Sequence, residues 1–498
     1  MSKYVLTIDA GTTSERAIVF NKKGEILNIE QKEIKQFYPQ SGWVEHDADE
    51  IWETQKFTID SVLQKSGIDI SELAVIGITN QRETTVIWDR ETGKTLYKAI
   101  VWQDRRTSEY CDKLKSDGHL EIIQNKTGLL IDSYFSATKI RWILDHIEGA
   151  QKSAENGKLA FGTIDSWLLW KLTKGKVHAT DVTNASRTML FNIHELDWDD
   201  DLLNLFNIPK SMLPEVKQSS DYYGDTDPEI FNKSIPIGGI AGDQQSALFG
   251  QMCVHPGMVK NTYGTGCFLI MNTGSQAIKS KNNLLTTIAW KINNEVSYAL
   301  EGSIFTGGAI VQWLRDNVDF IDSAQEVEAL AESVDDNGGV YFVPGFVGLG
   351  APHWDQFSTG LIIGLTRSTK KGHIARAALE ALALQSMEVV ETMSLDSNIK
   401  IKELRVDGGA SANDLLMQIQ SDIAELKVIR PKIIETTAQG VAFMAGLNIG
   451  YWESIEEIQS LWTAEKNFIP VKMNLHSTKK NWQKAVQRAK SWVEKENI

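Results

Sequence analysis

Asp9-Ala10-Gly11-Thr12-Thr13-Ser14 sets a carboxylate at the end of an apolar run, followed by a glycine and three hydroxyl residues. Glycine lets the backbone approach an anion closely, and successive N–H groups with hydroxyls can cradle phosphate oxygens. Asp9 is placed to hold Mg²⁺ through water, since that ion dehydrates reluctantly, and Arg16 adds a charge-assisted donor. An ordinary tight hairpin turn suits the same composition. A second turn of related type, Gly264-Thr265-Gly266, is weak evidence alone. A third follows the strand-like Leu404-Arg-Val-Asp407: Gly408-Gly409-Ala410, then a helical pattern from Asn413. Its glycines would let backbone meet a flat nucleoside, and Asn413 either caps the helix or binds the ligand.

Two charged groups stand apart from these turns. Asp243, in Ala241-Gly242-Asp243-Gln244-Gln245, follows an apolar strand-like run and opens a predicted helix; as sequence it reads as a helix cap or a reactive carboxylate. Arg82-Glu83 follows the apolar run Val75–Thr79, which points the pair into a cleft. Guanidinium donors beside carboxylate acceptors can satisfy both the lone pairs and the protons of neighbouring hydroxyls, although adjacent opposite charges most often form a surface ion pair. Other nucleotide signatures fail. Gly93-Lys94-Thr95 ends like a Walker A loop, but Trp88 stands at its first glycine, and no complete G-x-G-x-x-G opens a helix. Among the nine histidines no metal-site spacing occurs.

The elements that must carry these groups form a repeated plan. Tyr4–Ile8 and Ala17–Phe20 read as strands flanking a turn over 9–14, and Leu73–Ile78 as a buried strand. Helical patterns cover Ser136–His146 and Ser166–Leu172. After about residue 250, Met258–Tyr263, a Gly-Thr turn and Phe268–Met271 echo the opening order, which suggests a duplicated domain around a central cleft. The expected halves are 1–250 and 251–498, joined by a packed hinge, because no Pro/Ser-rich tether separates them. A chain of 498 residues exceeds one core, and 42% apolar with 23% charged content is ordinary for globular proteins. The net charge of −14 disfavours general binding to nucleic acid or anionic membrane. Three cysteines without C-x-x-C spacing suit a reducing cytoplasm, and no apolar run approaches the ~20 residues of a membrane span.

Several segments together carry a specific resemblance. Tyr134-Phe-Ser-Ala-Thr-Lys139-Ile-Arg-Trp142-Ile-Leu-Asp-His146, and Gly360-Leu-Ile-Ile-Gly364-Leu365 with His373–Glu380 beyond it, resemble the two signatures of the FGGY carbohydrate kinases. Ser41–His46, Asn80–Thr84, Trp102–Arg105, Gly242–Gln245 and Thr262–Phe268 extend the likeness over nearly the whole chain. It implies an α/β protein of two ribonuclease-H-like (actin-like ATPase) domains, with ATP and acceptor in the cleft between them. The branch of the family that it resembles phosphorylates glycerol to sn-glycerol 3-phosphate with ATP and Mg²⁺, and a homodimer or homotetramer is the expected assembly. Carried over by position, the resemblance implies Asp243 as general base, with Arg82, Glu83, Tyr134, Gln244, Trp102 and Phe268 around glycerol. On the nucleotide side it implies Thr12, Thr13, Ser14 and Arg16 at the phosphates, Asp9 toward Mg²⁺, Thr265 near the transferred group, and Gly308, Gln312, Gly409 and Asn413 along the nucleotide. Ala10 and Glu15 depart from the usual pattern, Glu15 adding negative charge beside the phosphate turn, and together they are expected to weaken nucleotide binding modestly.

Overall fold

The opening apolar run folds as β1 (Tyr4–Ala10), antiparallel to β2 (Ser14–Phe20), which pairs antiparallel with β3 (Ile26–Glu33). The computed structural model describes residues 3–471 and 475–494. β1 runs two residues further than the sequence pattern suggests, so Asp9 lies in the strand, paired with Arg16, and the turn shrinks to Gly11–Thr13. Aspartate is a poor strand former, but ladder pairing overrides so weak a preference. Helix α1 (Ala48–Ser66) covers one face of this sheet. Its start is capped by the Asp47 carboxylate on two backbone N–H groups, and it stops at Gly67 with φ +65°. β4 (Leu73–Asn80) adds in parallel beside β1, α2 (Ser136–His146) falls where its periodicity predicts, and β5 (Ile237–Gly242) leads directly into α3 (Asp243–Gly250). The strand order is β5-β4-β1-β2-β3.

The second half contains β6 (Val259–Tyr263), β7 (Cys267–Gly274), β8 (Leu285–Ile292) and β9 (Glu295–Ile304). These are followed by α4 (Ala309–Asp316), α5 (Lys371–Ser397), β10 (Glu403–Asp407) and α6 (Asp414–Ala424). β11 (Lys427–Pro431), α7 (Thr436–Asn448) and β12 (Ala464–Phe468) come after them. Its sheet runs β8-β9-β7-β6-β10-β11-β12. Within it, β9-β7-β6-β10-β11 repeats both the order and the relative directions of β3-β2-β1-β4-β5. Two sheets of one topology thus stand in one chain, as the echoed hairpins suggested.

The halves meet through apolar contacts as well as across a cleft. One buried cluster draws Val5, Phe20 and Val75 from the first sheet, Phe249 from α3, Trp290 from β8, and Phe443 and Trp452 from the end of the chain. Helix α7 lies on β1, β4 and β5 and against α3. Glycines permit that approach: a Cβ at Gly440 would stand 1.8 Å from the Ser246 carbonyl oxygen, and one at Gly250 2.0 Å from that of Thr436. Gly440→Ala therefore carries opposing effects. Helix propensity gains about 1 kcal/mol, whereas overpacking against immobile backbone costs about 1–3 kcal/mol or more. The contact distance decides for overpacking, so the variant is expected to unfold at lower urea concentration than the parent. Among the described residues no helix is long and apolar enough to cross a membrane.

Candidate active site

Beyond β4 the chain turns sharply: Glu83 holds φ +61°, and the Thr84 N–H bonds the Arg82 carbonyl. A non-glycine residue in this region is uncommon and costly, so the surroundings must hold it there. Arg82 and Glu83 are 2% and 1% exposed, which removes the surface-ion-pair reading. All five N–H groups of Arg82 are engaged. Nη1 donates to Glu301 Oε2 (2.6 Å) and Gln245 Oε1 (3.1 Å), Nη2 to Glu301 Oε1 (2.9 Å) and Tyr134 Oη (3.4 Å), and Nε lies 3.1 Å from Asp243 Oδ1. Arg187, also fully buried, donates from Nε to Glu83 Oε1 (2.6 Å) and from Nη2 to Glu301 Oε1 (3.0 Å). Burial pushes the Glu301 carboxyl up, but Arg187 and Arg82 overcome it and hold the group at about 2.

Asp243 is the first residue of α3, and Gly242, not the aspartate, occupies the cap position. A side chain at Gly242 would meet the Arg82 stem at 2.7 Å, so this glycine lets the guanidinium reach the carboxylate. The Asp243 side chain is 31% exposed, whereas Arg82 beneath it is sealed. Asp243 Oδ1 also accepts from the Gln244 N–H (2.7 Å), and Oδ2 from Gln244 Nε2 (3.3 Å). Lys260, wholly buried on β6, donates to Gln244 Oε1 and to Thr262 Oγ1. Burial brings the Lys260 ammonium down to about 8, against Asp407 and Asp243, which favour its charge. Over this polar floor stand Trp102, Tyr134 and Phe268. Ring centroids lie 5.6 Å apart for Trp102–Tyr134 and 6.2 Å for Trp102–Phe268, and the Trp102 indole N–H reaches Thr12 Oγ1 at 2.9 Å. A cavity of about 950 Å³ opens beside Trp102 and Tyr134, with Trp43, Arg105, Phe305 and Phe357 also on its walls.

The predicted phosphate residues cluster at the β1–β2 turn. Thr13 is exposed, Ser14 Oγ accepts from Gln31, and Arg16 pairs with Glu435 of the second half at 2.8 Å while its Nε lies 3.7 Å from Asp9. Burial raises the Asp9 carboxyl above its usual range, Arg16 opposes this, and Glu435 and Asp243 add to the rise. Thr436, next to Glu435, bonds Asp407 at 2.7 Å, which ties the first turn to the glycines after β10. On the second half, the Gly307 and Gly308 N–H groups donate to the carbonyls of Thr265 and Gly264, and a Cβ on Gly308 would lie 3.9 Å from that of Ala410. Thr265, Gly308, Gln312 at the first turn of α4, and Gly409 are thereby gathered at one place. A Cβ added to Gly409 would meet nothing within 4 Å. Asn413 caps α6, its Oδ1 accepting from the Leu416 N–H at 2.7 Å, so the cap reading holds for that oxygen.

The expectation for Glu15 is corrected. Its side chain alternates with Arg16 to the opposite face of β2, pairs in register with Ala10, and is 0% exposed. It therefore faces the core and not the turn, and there burial first, then the charge of Asp9, raises its pKa well above the usual value against the opposing charge of Arg16.

The sequence matches the N-terminal domain of the FGGY family of carbohydrate kinases over residues 4–250 and the C-terminal domain over 259–449. The chain belongs to the FGGY family of carbohydrate kinases. It is 58% identical over 494 residues to a glycerol kinase of Burkholderia pseudomallei and 57% identical to one of Paraburkholderia phytofirmans, each match covering 99% of both chains. Its fold superposes on a Plasmodium falciparum glycerol kinase crystallised with ADP, with TM-score 0.91 and 38% identity over 98% of each chain. A Lactobacillus acidophilus xylulose kinase shares the fold at TM-score 0.84 and 21% identity, over 98% of this chain and 97% of that one.

In this FGGY kinase four residues of the site escaped sequence reasoning: Arg187, Gln245, Lys260 and Glu301. The available signal was a charge inside an apolar strand. Lys260 follows Val259, and Glu301 interrupts Tyr298-Ala-Leu-Glu-Gly-Ser-Ile304, where a lone ionisable residue needs a buried partner. A second missed feature is a closed chain of hydrogen bonds below the turn. His46 Nε2 meets Gln36 Oε1 (2.6 Å), Gln36 donates to the Thr12 carbonyl, and His46 Nδ1 meets Gln81 Nε2 (3.3 Å). Gln81 Oε1 accepts from Thr84, which receives the Trp102 N–H. Both glutamine amides are oriented by their other partners, so the ring is satisfied by neutral His46 with its proton on Nε2. Burial, which brings its pKa down to about 4, favours the same state.

Proposed function

We propose that this FGGY kinase transfers the γ-phosphoryl group of ATP to a terminal hydroxyl of glycerol, giving sn-glycerol 3-phosphate and ADP in the cytoplasm. The observation that carries the reading is the convergence of Arg82, Glu83, Tyr134 and Asp243 on one polar floor under the Trp102–Phe268 wall. A small triol suits that combination, because its hydroxyls need both donors and acceptors while its carbon edge is apolar. The full-length likeness to glycerol kinases supports the same acceptor.

Phosphoryl transfer asks for alignment and charge neutralisation more than for covalent help. The attacking hydroxyl oxygen bonds the γ-phosphorus, its proton passes to the Asp243 carboxylate, and the bond from phosphorus to the β-phosphate bridging oxygen breaks. Asp243 suits this role by its partial exposure beside a sealed Arg82. Gln244 and Tyr134 complete the polar floor. Thr12, Thr13, Ser14 and Arg16 hold the phosphates, Thr265 lies toward the transferred group, and Gly308, Gln312, Gly409 and Asn413 border the nucleotide. Asp9, with Asp243 near enough to raise its pKa, fits Mg²⁺ carried on the nucleotide, since that ion keeps water and needs one or two carboxylates. When bound, the ion neutralises charge on the β- and γ-phosphates. Residues 1–250 and 251–498 act as the two closing halves, and closure excludes water that would otherwise consume ATP.

The test is product identification by ³¹P NMR, with glycerol, dihydroxyacetone, glyceraldehyde and pentuloses competing for ATP. Glycerol 3-phosphate is the expected main product; a pentulose phosphate in its place would reassign the acceptor.

A further inference from the structure

We propose that Glu301 and Arg187 are the positioning pair of the acceptor site: from the second sheet Glu301 fixes the plane of Arg82, and Arg187 fixes the carboxylate of Glu83. The inference rests on the reading of Arg82 and Glu83 as the hydroxyl-binding pair.

Glu301 sits on β9 with ladder partners on both sides, Ile270 of β7 and Leu285 of β8, so its backbone is held from two directions. Both of its oxygens bond the two Nη ends of Arg82, the fork-to-fork geometry that fixes a guanidinium in plane and rotation. What remains of Arg82 on the side of Asp243 and Tyr134 is Nε and the outer Nη2 proton, whose contacts are longer, at 3.1 and 3.4 Å. Those are the donors a hydroxyl can share or take over. Glu83 is treated in the same way. Arg187 bonds Oε1, and Ser136 and Lys139 hold the Glu83 carbonyl at 3.1 and 3.2 Å. Only Oε1 of that carboxylate is bonded among the described contacts, which leaves Oε2 for an acceptor hydroxyl.

A network that only stabilised the fold would not need this division of labour. Glu301 carries the second half's negative charge onto Arg82 in the first half's acceptor pocket, beside Lys260 at Gln244, so docking of the two sheets completes the site. Its carboxylate also balances Arg82, which otherwise would press its whole charge on Asp243.

The experiment compares Glu301→Gln and Glu301→Asp with the parent enzyme in steady-state kinetics, varying glycerol and ATP separately, with thermal unfolding as the folding check. Glu301→Gln keeps the volume but turns an amide NH₂ toward one arginine N–H. The expected result is a glycerol KM raised at least ~10-fold, the loss of about one charge-assisted hydrogen bond, with the ATP KM within about twofold. Glu301→Asp is expected to recover part of the loss. A folded Glu301→Gln enzyme with unchanged glycerol KM overturns the proposal, as does an equal rise in both KM values. If Glu301→Gln does not fold, Arg187→Lys carries the test with the same split, since it keeps the charge and loses the planar N–H groups that bridge Glu83 and Glu301. If the parent enzyme instead phosphorylates another polyol, the glycerol reading fails while the KM split on that polyol still tests Glu301.

Discussion

Asp243→Asn is expected to lower kcat at least ~10²-fold, the lower end for loss of a general base, while the glycerol KM stays within a few-fold of the parent. The amide has the shape of the carboxylate, and its Oδ1 can still accept from the Gln244 N–H and from Arg82 Nε, the contacts made at 2.7 and 3.1 Å. Those two ground-state contacts survive, the longer one from Gln244 Nε2 to Oδ2 is lost, and with it goes the oxygen able to take the hydroxyl proton. A change confined to the transition state lowers kcat and kcat/KM together. Single-turnover quench of labelled phosphate separates that effect from slow product release. Near-normal turnover would remove Asp243 from the role of base, whatever happened to KM.

Replacing Arg82 by alanine acts on the other side of the reaction. Two hydroxyl-directed donors are lost, each worth about 1.5–3 kcal/mol when charge-assisted, so the glycerol KM is expected to rise ~10²-fold or more. Folding suffers as well. Glu301 keeps Arg187 but loses two bonds in a fully buried place, and breaking a buried pair costs about 3–5 kcal/mol. Arg82→Lys, which restores the charge without the fork, separates the two effects: stability returns in part, while glycerol affinity stays poor. Isothermal titration of glycerol against both variants, with unfolding midpoints measured alongside, reads them independently. An unchanged glycerol KM in folded Arg82→Ala would reopen the choice of acceptor.

How far the sequence reached differs from residue to residue. Strands were legible where apolar side chains run together, as in Leu73–Ile78, and α2 was legible over Ser136–His146 because its apolar positions keep the helical period. Asp9 was misread as a turn residue, since local preference does not record that Arg16 would stand opposite it in the ladder. Glu15 was read as charge beside the phosphate turn because a glutamate next to a hydroxyl-rich turn has no local mark of burial; the face of β2 it occupies is set by register. Asn413 was left between cap and ligand, and its Oδ1 takes the cap.

By itself the sequence determined the order of strands and turns, the repeat of that order after residue 250, and the local chemistry of Asp9–Ser14, Arg82-Glu83 and Asp243. Each depends on neighbours within a few residues, where glycine, hydroxyl and apolar spacing act directly on the backbone. Only the tertiary structure decided how Arg82 is used. Its fork partner Glu301 is 219 residues away, and Arg187 lies 114 residues from Glu301, on the other half of the chain. No pattern of spacing reports such a pairing. It arises because α3 and α7 pack on each other between two sheets of one topology, and charges sealed by that packing must find one another there.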